Sequence, residues 1–379
     1  MDNTLKSPYA PVRLRELGWW RYAQQAAKDG KINSKGMIAP HFPDEIWRDL
    51  VVPVARMAAQ TAQTEDEKDA VGQLVAKAML FRQWIPLIGQ YEQCGKQIFD
   101  LDDALVKMLR MTDAEDCQLS MWNAPYDAFY VRFGKQNDLK LLFGPDEYEY
   151  LDGAFVAVTP WTQEGTQRRL KIGLCTVKED GTGVQMPGYF VDLTPDEQEL
   201  APSQAVDAFI KRKYAELDSD SQETPKYRDL NEIRKGEYKE GADLMKAAVS
   251  LVVNSLFYIE SLGEDHPLTP GRDVPPAQVA QWHQAPATRK FKASQKITRD
   301  GYVMVHLLAD PTAHEGGHQS ARDGVATHWR RGHWRRQRYG PQNSLMKRVW
   351  LRPVMINPGD ADPDRPGHVY VVPGNSAVQ

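Results

Sequence analysis

The residues best equipped for chemistry lie close together near the end of the chain, between Thr327 and Pro353 (THWRRGHWRRQRYGPQNSLMKRVWLRP). Two histidines, His328 and His333, flank Arg330 and Arg331. Paired imidazoles can act as general acid and base on a phosphodiester while a guanidinium stabilises the charge that develops, which is the arrangement of a metal-free ribonuclease. The same stretch offers a second chemistry that needs no reaction. Arg330, Arg331, Arg335, Arg336, Arg338, Lys347 and Arg348 present cations for phosphates, and Trp334, with Trp329 and Tyr339, presents rings for unpaired bases. Single-stranded RNA suits that mixture better than a duplex, whose bases are already stacked.

With Arg352 included, eight Lys or Arg fall in this stretch, and no Asp or Glu occurs between Asp323 and Asp360. The whole chain carries −4, so everything else stands at −12 without those eight. Three readings stay open: the cations face a nucleic acid, they clasp the acidic body of their own chain, or they meet an acidic protein. Read as a strand, the odd positions are Trp329, Arg331, His333, Arg335, Gln337 and Tyr339. The even positions are His328, Arg330, Gly332, Trp334, Arg336 and Arg338. Neither row is apolar, so neither face is expected to enter a core. A helix fares no better, because Gly332 would cost it about 1 kcal/mol relative to Ala.

His314-Glu315-Gly316-Gly317-His318 has the His-Glu-x-x-His spacing that, on a helix, puts two zinc ligands and a general base on one face. The two glycines together remove about 2 kcal/mol of helix stability relative to Ala. His314 and His318 are therefore read as parts of a glycine-rich surface loop, with a zinc protease as the alternative. Asp146, Glu147, Glu149 and Asp152 resemble a metal site by composition and are read as a solvated loop face. Neither GxGxxG nor GxxxxGK[ST] occurs, and Cys94, Cys117 and Cys175 stand far apart with no CxxC. No metal and no cofactor is expected, and the thiols are expected to be reduced. The longest uncharged apolar run, Ala247 to Ile259, has 13 residues. A bilayer span takes about 20, so this run reads as a buried helix. The first residues lack an apolar signal core, so a cytoplasmic chain with no membrane partner is expected.

The elements that must position these residues divide into four stretches. Residues 1–115 read as helical: Glu16 to Gly30, a helix entered at Pro43, and a capping box at Thr64 and Glu67. From that box an apolar stripe of Val71, Leu74, Val75, Ala78 and Met79 runs into Phe81 and Trp84, and Pro86 ends it. A further helix, Asp102 to Arg110, presents Leu105, Val106 and Leu109. Residues 116–262 read as α+β. DAFYVRFG, LKLLFG, GAFVAVTPW, RLKIGLCTV and GYFVDLT suggest about five strands of an antiparallel sheet. Helices follow at Ser203 to Leu217 and Gly241 to Leu262, with a surface excursion, Asp218 to Lys239, between them. Residues 263–288 are rich in proline and read as a linker. Residues 289–379 hold the strands Gly301 to Leu308 and Arg348 to Ile356 around the basic segment. The fold class is α+β: a helical N-terminal part, a central antiparallel sheet with helices, and a basic β-rich end.

The run His328-x-Arg330-Arg331-Gly332-His333-Trp334, followed by Gly340, Arg348, Trp350 and Pro353, resembles the C-terminal signature of the second family in the type V-A anti-CRISPR series, carried by phages and other mobile elements. The firm likeness covers about 30 residues; a looser one extends upstream over the β-rich middle and the apolar helix from Leu244 to Ile259. The resemblance implies a protein that recognises the nascent N-terminal peptide of the type V-A CRISPR nuclease and brings about loss of its mRNA. It implies no catalytic residue. The nascent peptide is then the expected partner, with the ribosome or mRNA touched by the basic motif, and the oligomeric state is left open. The alternatives are a ribonuclease or an RNA-binding module of a mobile element.

Overall fold

The computed structural model describes residues 7–16, 18–31, 84–144, 147–160, 167–181, 190–223, 228–263, 267–309 and 328–356, with isolated positions between 57 and 64. The expected helix at Pro43, the capping box beyond Thr64, the stripe from Val71 to Met79 and the His314–His318 motif lie outside these residues.

Helices α1 (Ala10–Arg13) and α2 (Gly18–Lys28) open the chain, and α2 stops ahead of Gly30, as its sequence indicates. Helix α3 (84–93) carries Pro86 within it, so the expected stop at that proline does not occur. Pro86 falls in the first turn of the described helix, and Trp84, Ile85, Leu87, Ile88 and Tyr91 are all buried, so packing against the sheet holds the helix beyond the proline. Strand β1 (Ile98–Leu101) follows, within the stretch read as helical. Helix α4 (Asp103–Arg110) is capped by Asp102, whose carboxylate accepts from the Ala104 N–H at 2.9 Å; Leu105, Val106 and Leu109 are buried as their spacing requires. Strand β2 is Thr112–Asp113.

The middle of the chain supplies β3 (Ala128–Gly144), β4 (Glu147–Pro160), β5 (Arg168–Lys178) and β6 (Phe190–Leu193). The expected strands DAFYVRFG and LKLLFG are one, so the described residues of this region hold four strands where about five were expected. The pairing of β3 with β4 slips between Arg132 and Lys140, where Gly134 takes a φ of 70°, so an irregularity absorbs what reads in sequence as a turn. Helices α5 (Pro202–Glu223) and α6 (Arg228–Ser261) come next. They occupy most of Asp218 to Lys239, which is therefore no surface excursion. Asn231 donates to the Leu217 carbonyl and Ser221, and Lys235 pairs with Asp218 and Glu232. Polar pairs hold this part, so no apolar stripe announces it.

The stretch expected as a linker holds strand β7 (Leu268–Pro270) and helix α7 (Pro276–Gln284). Its prolines mark helix starts: Pro275 caps α7, Pro276 fills its first turn, and Pro286 caps α8 (Ala287–Arg299). Strand β8 (Met304–Leu308) closes this part, and β9 (His328–Arg330), β10 (Gly332–Tyr339), β11 (Leu345–Leu351) and β12 (Val354–Ile356) follow.

Among the described residues the main sheet has seven strands in the order β6-β5-β4-β3-β1-β8-β7. β1 lies parallel to β3 and to β8, and the other pairs are antiparallel, so the sheet is mixed where an antiparallel one was expected. Strands from the first and last parts of the chain meet in it, and the α+β fold does not divide cleanly along the sequence.

Both faces of the sheet are covered. Tyr130, Phe155 and Cys175 face α2 and α3, where Trp84 fills the room left by Gly173; a Cβ there would sit 2.6 Å from the indole. The alternate residues Val131, Val156, Ile172 and Leu174 pack with Phe209, Val249, Val252 and Leu256 of α5 and α6. Residues Arg234–Ser261 are long and apolar enough to cross a membrane, but 67% of their most apolar 18-residue window is buried inside the fold.

Glu149 and Asp152, expected on a solvated loop, lie instead on β4 and are 2% and 4% exposed. Glu149 accepts from Thr176, and Asp152 pairs with Arg13 at 2.9 Å. Beside them Asp100 is fully buried and accepts from Tyr9 (2.8 Å), Arg132 (3.0 Å) and Arg272 (2.8 Å). These pairs tie the first helix and the connection between β7 and α7 to the sheet.

Candidate functional site

The basic segment forms one long β-hairpin. Pairing holds a single register from His328↔Ile356 through Arg330↔Val354 and His333↔Leu351 to Tyr339↔Leu345. Pro353 lacks an N–H and divides the ladder into β9–β12 and β10–β11. Gly332 sits at the divide, where β10 runs beside β2 and donates its N–H to the Met111 carbonyl at 3.1 Å. A Cβ on Gly332 would lie 2.7 Å from Thr112 Oγ1, 2.8 Å from Pro353 Cδ and 3.0 Å from the Leu351 carbonyl. Only a glycine lets the two backbones approach this closely.

The hairpin enters the core, contrary to the expectation from its alternation. Trp334 is 6% exposed, edge-on to Phe257 of α6 at 5.7 Å, and stacked with its cross-strand partner Trp350 at 6.0 Å. Trp350 in turn meets Tyr258 edge-on at 5.5 Å. Each indole N–H is satisfied: Trp334 donates to Asn254 Oδ1 at 2.8 Å, and Trp350 to Thr112 Oγ1 at 3.0 Å. Two tryptophans a few residues from the turn suffice to seat a strand whose remaining positions are polar. Trp334 therefore has no open face for a nucleic-acid base.

The cations divide into two groups. Arg348 pairs with Glu260 of α6, and its guanidinium lies 3.7 Å over the Phe257 ring. Arg336 lines a surface cleft of about 580 Å³ whose other charged residues are Glu115, Asp116 and Glu199. By contrast Arg330, Arg331, Arg335, Arg338 and Lys347 are exposed. None of these five pairs with an acid among the described residues; Arg335 donates to Gln337, and Lys347 lies 5.3 Å from the Tyr339 ring centre. The clasp and the open cationic surface are thus both present, on different residues.

His328 and His333 stand five residues apart on this run, about 17 Å of strand rise. Among the described residues no three His, Cys, Asp or Glu gather as metal ligands. Sequence reasoning missed Asn254, which donates to the Leu109 and Thr112 carbonyls, each at 2.9 Å, while accepting from Trp334. A lone Asn inside the apolar run from Ala247 to Ile259 was its signal.

The match that decides kinship spans residues 99–358: the family model described as "AcrVA2-like: Anti-CRISPR type V subtype A2 family". The chain belongs to this family. The matched part begins in β1 and ends just beyond β12, so it contains the whole long hairpin with Gly332, Trp334, Gly340, Trp350 and Pro353. Among solved structures, "Crystal structure of AcrVA2" aligns with 13% identity and a TM-score of 0.39, covering 89% of this chain and 96% of that one. No curated protein matches.

Proposed function

We propose that this AcrVA2-like protein is an adaptor that meets the N-terminal peptide of a type V-A CRISPR nuclease as it is translated and promotes loss of the message. Family membership supports the anti-CRISPR part of this reading. The observation that carries the RNA part is the division of labour along the hairpin. Trp334, Trp350 and Arg348 attach it to α6, while Arg330, Arg331, Arg335, Arg338 and Lys347 stay exposed without acidic partners among the described residues. A purely structural clasp needs no such surplus of charge. Ribosomal RNA or mRNA is the polyanion that the reading supplies.

For the peptide, β6 ends the seven-stranded sheet, and an extended chain adding to its outer edge would satisfy backbone donors and acceptors on both sides. The acidic cleft by Arg336 adds a place for Lys or Arg side chains of such a peptide. In this reading degradation itself falls to another factor, because the family resemblance implies no catalytic residue.

The test is a reporter whose first codons encode the nuclease N-terminus, with message measured in cells with and without this protein. Loss should survive synonymous recoding of those codons and vanish when they are frameshifted. Unchanged message in every arm would leave only a general RNA-binding module of a mobile element. Cleavage of RNA by the purified protein, abolished by His333→Ala, would instead favour the ribonuclease.

A further inference from the structure

A second cationic surface lies outside the hairpin. No Asp or Glu occurs between Asp273 and Asp300, and helix α8 carries Arg289, Lys290, Lys292, Lys296 and Arg299. Lys290 is occupied: its ammonium lies 3.6 Å over the Trp282 ring and donates to the Trp282 carbonyl, which fastens α8 to α7. Ile297, 2% exposed, seats the same side of the helix. At 100° per residue the other four cations fall within an 80° stripe on the far side, spread over about 15 Å of helix. All four are exposed, and none has an acidic partner among the described residues. Phe291, 72% exposed, stands on the shoulder of this stripe.

We propose that the outer face of α8 binds single-stranded nucleic acid without regard to sequence, through its phosphates and one stacked base. Four like charges in a row repel one another, and a phosphate chain removes that cost while releasing counterions. Two of the four are lysines, point charges that track a backbone and do not read base edges in a fork. The exposed Phe291 ring is what favours a single strand, because only unpaired bases offer it a free π-face. A membrane surface is the poorer fit. An amphipathic helix must sink an apolar face, and here Ile297 points into the fold, leaving Phe291 as the outward apolar group. This surface is independent of the hairpin and does not rest on the adaptor reading.

The test measures affinity of the full chain for a 20-nucleotide oligo-U RNA, the corresponding DNA single strand and a duplex, across a salt series. Lys292→Gln with Lys296→Gln should lower the slope of log K against log salt by about 1.4, at about 0.7 per single-strand phosphate. Phe291→Ala should weaken single-strand binding by about fivefold or more and leave duplex binding unchanged. These are surface positions, so thermal melting should not move. Arg335→Gln with Arg338→Gln provides the separate hairpin arm. If the α8 variants bind as the parent does while the hairpin variant is weakened, the proposal fails and the hairpin reading stands. If the parent chain ignores all three polymers yet binds phosphatidylserine vesicles through these lysines, the proposal fails as well.

Discussion

Trp334 and Asn254 meet inside the protein: the indole N–H donates to Asn254 Oδ1 at 2.8 Å, and the Asn254 amide donates in turn to the carbonyls of Leu109 and Thr112. One side chain on α6 thereby joins the end of α4 to the hairpin, with both amide donors and the amide oxygen engaged. Trp334→Phe keeps an aromatic ring but removes the indole N–H and part of the ring volume, stranding one acceptor beside a small cavity, so about 1–3 kcal/mol of stability should be lost. Asn254→Leu strands three groups at once, and its loss should exceed that of Trp334→Phe. Urea unfolding followed by circular dichroism measures both; equal midpoints for parent and Asn254→Leu would remove Asn254 from this role.

Gly332 tests the close approach of backbones. An added Cβ meets Thr112 Oγ1, Pro353 and the Leu351 carbonyl, two of them held by the ladder itself. Gly332→Ala should therefore destabilise by about 1–3 kcal/mol through overpacking, although alanine at an unconstrained strand position would usually help. Differential scanning calorimetry should show a lowered midpoint. A raised midpoint would mean that β2 and β10 part easily.

Arg348 and Arg335 carry the same charge in different settings. Arg348→Met should cost about 1–3 kcal/mol, since it leaves the half-buried Glu260 carboxylate without its cation, holding only the Asn123 hydrogen bonds among the described residues, and removes the cation from the Phe257 ring. Arg335→Met, at an exposed position, should stay within about 0.5 kcal/mol of the parent. Denaturant midpoints of the two variants, compared side by side, give the answer, and similar losses at both positions would contradict the division into clasp and surface.

How far the chain could be read depended on where its signals were local. The 102–110 helix was legible because Asp102 caps it and Leu105, Val106 and Leu109 recur at helical spacing. Strands β4 to β6 were legible from their β-branched and aromatic runs between turns. Position in the sheet was not: β1 has four residues, and its parallel pairing with β3 and β8 depends on contacts with distant parts of the chain. The prolines of 263–288 suggested a linker because composition does not distinguish a flexible spacer from helix starts. At the site, the family residues of the hairpin could be named from sequence, but their roles could not. Alternation counts polar residues along a strand, whereas burial of this strand is decided by two indoles and by Asn254, some 80 residues upstream of Trp334.

Glu197 sets a pH dependence. Burial pushes its carboxyl up, but hydrogen bonds from Arg212 and from the Thr194 N–H outweigh burial and hold it below the usual carboxylate range. Its folded value is thus depressed relative to the unfolded chain. The stability it contributes is fully present above the ordinary glutamate value near ~4.3 and is lost as pH falls through the folded value. Stability of the parent minus that of Glu197→Gln should be constant from neutral pH down to about pH 5.5 and shrink below it. A difference independent of pH would show that the Arg212 pair contributes nothing to folding.

The exposed cations of the hairpin carry the functional reading, and they can be removed without touching its anchors. Arg331, Arg335 and Arg338 are exposed and make no ion pair among the described residues, so Arg331→Gln/Arg335→Gln/Arg338→Gln should melt as the parent does. If each contacts one phosphate of a single strand, the slope of log K against log salt should fall by about 2. In the reporter cells the same variant should spare the message while Trp334, Trp350 and Arg348 still hold the hairpin against α6. A variant that loses RNA affinity yet clears the message fully would separate the hairpin from message loss and turn attention to the peptide-binding edge. A variant that keeps both would end the case for RNA at this hairpin, since no other change in it could mask the loss of three charges.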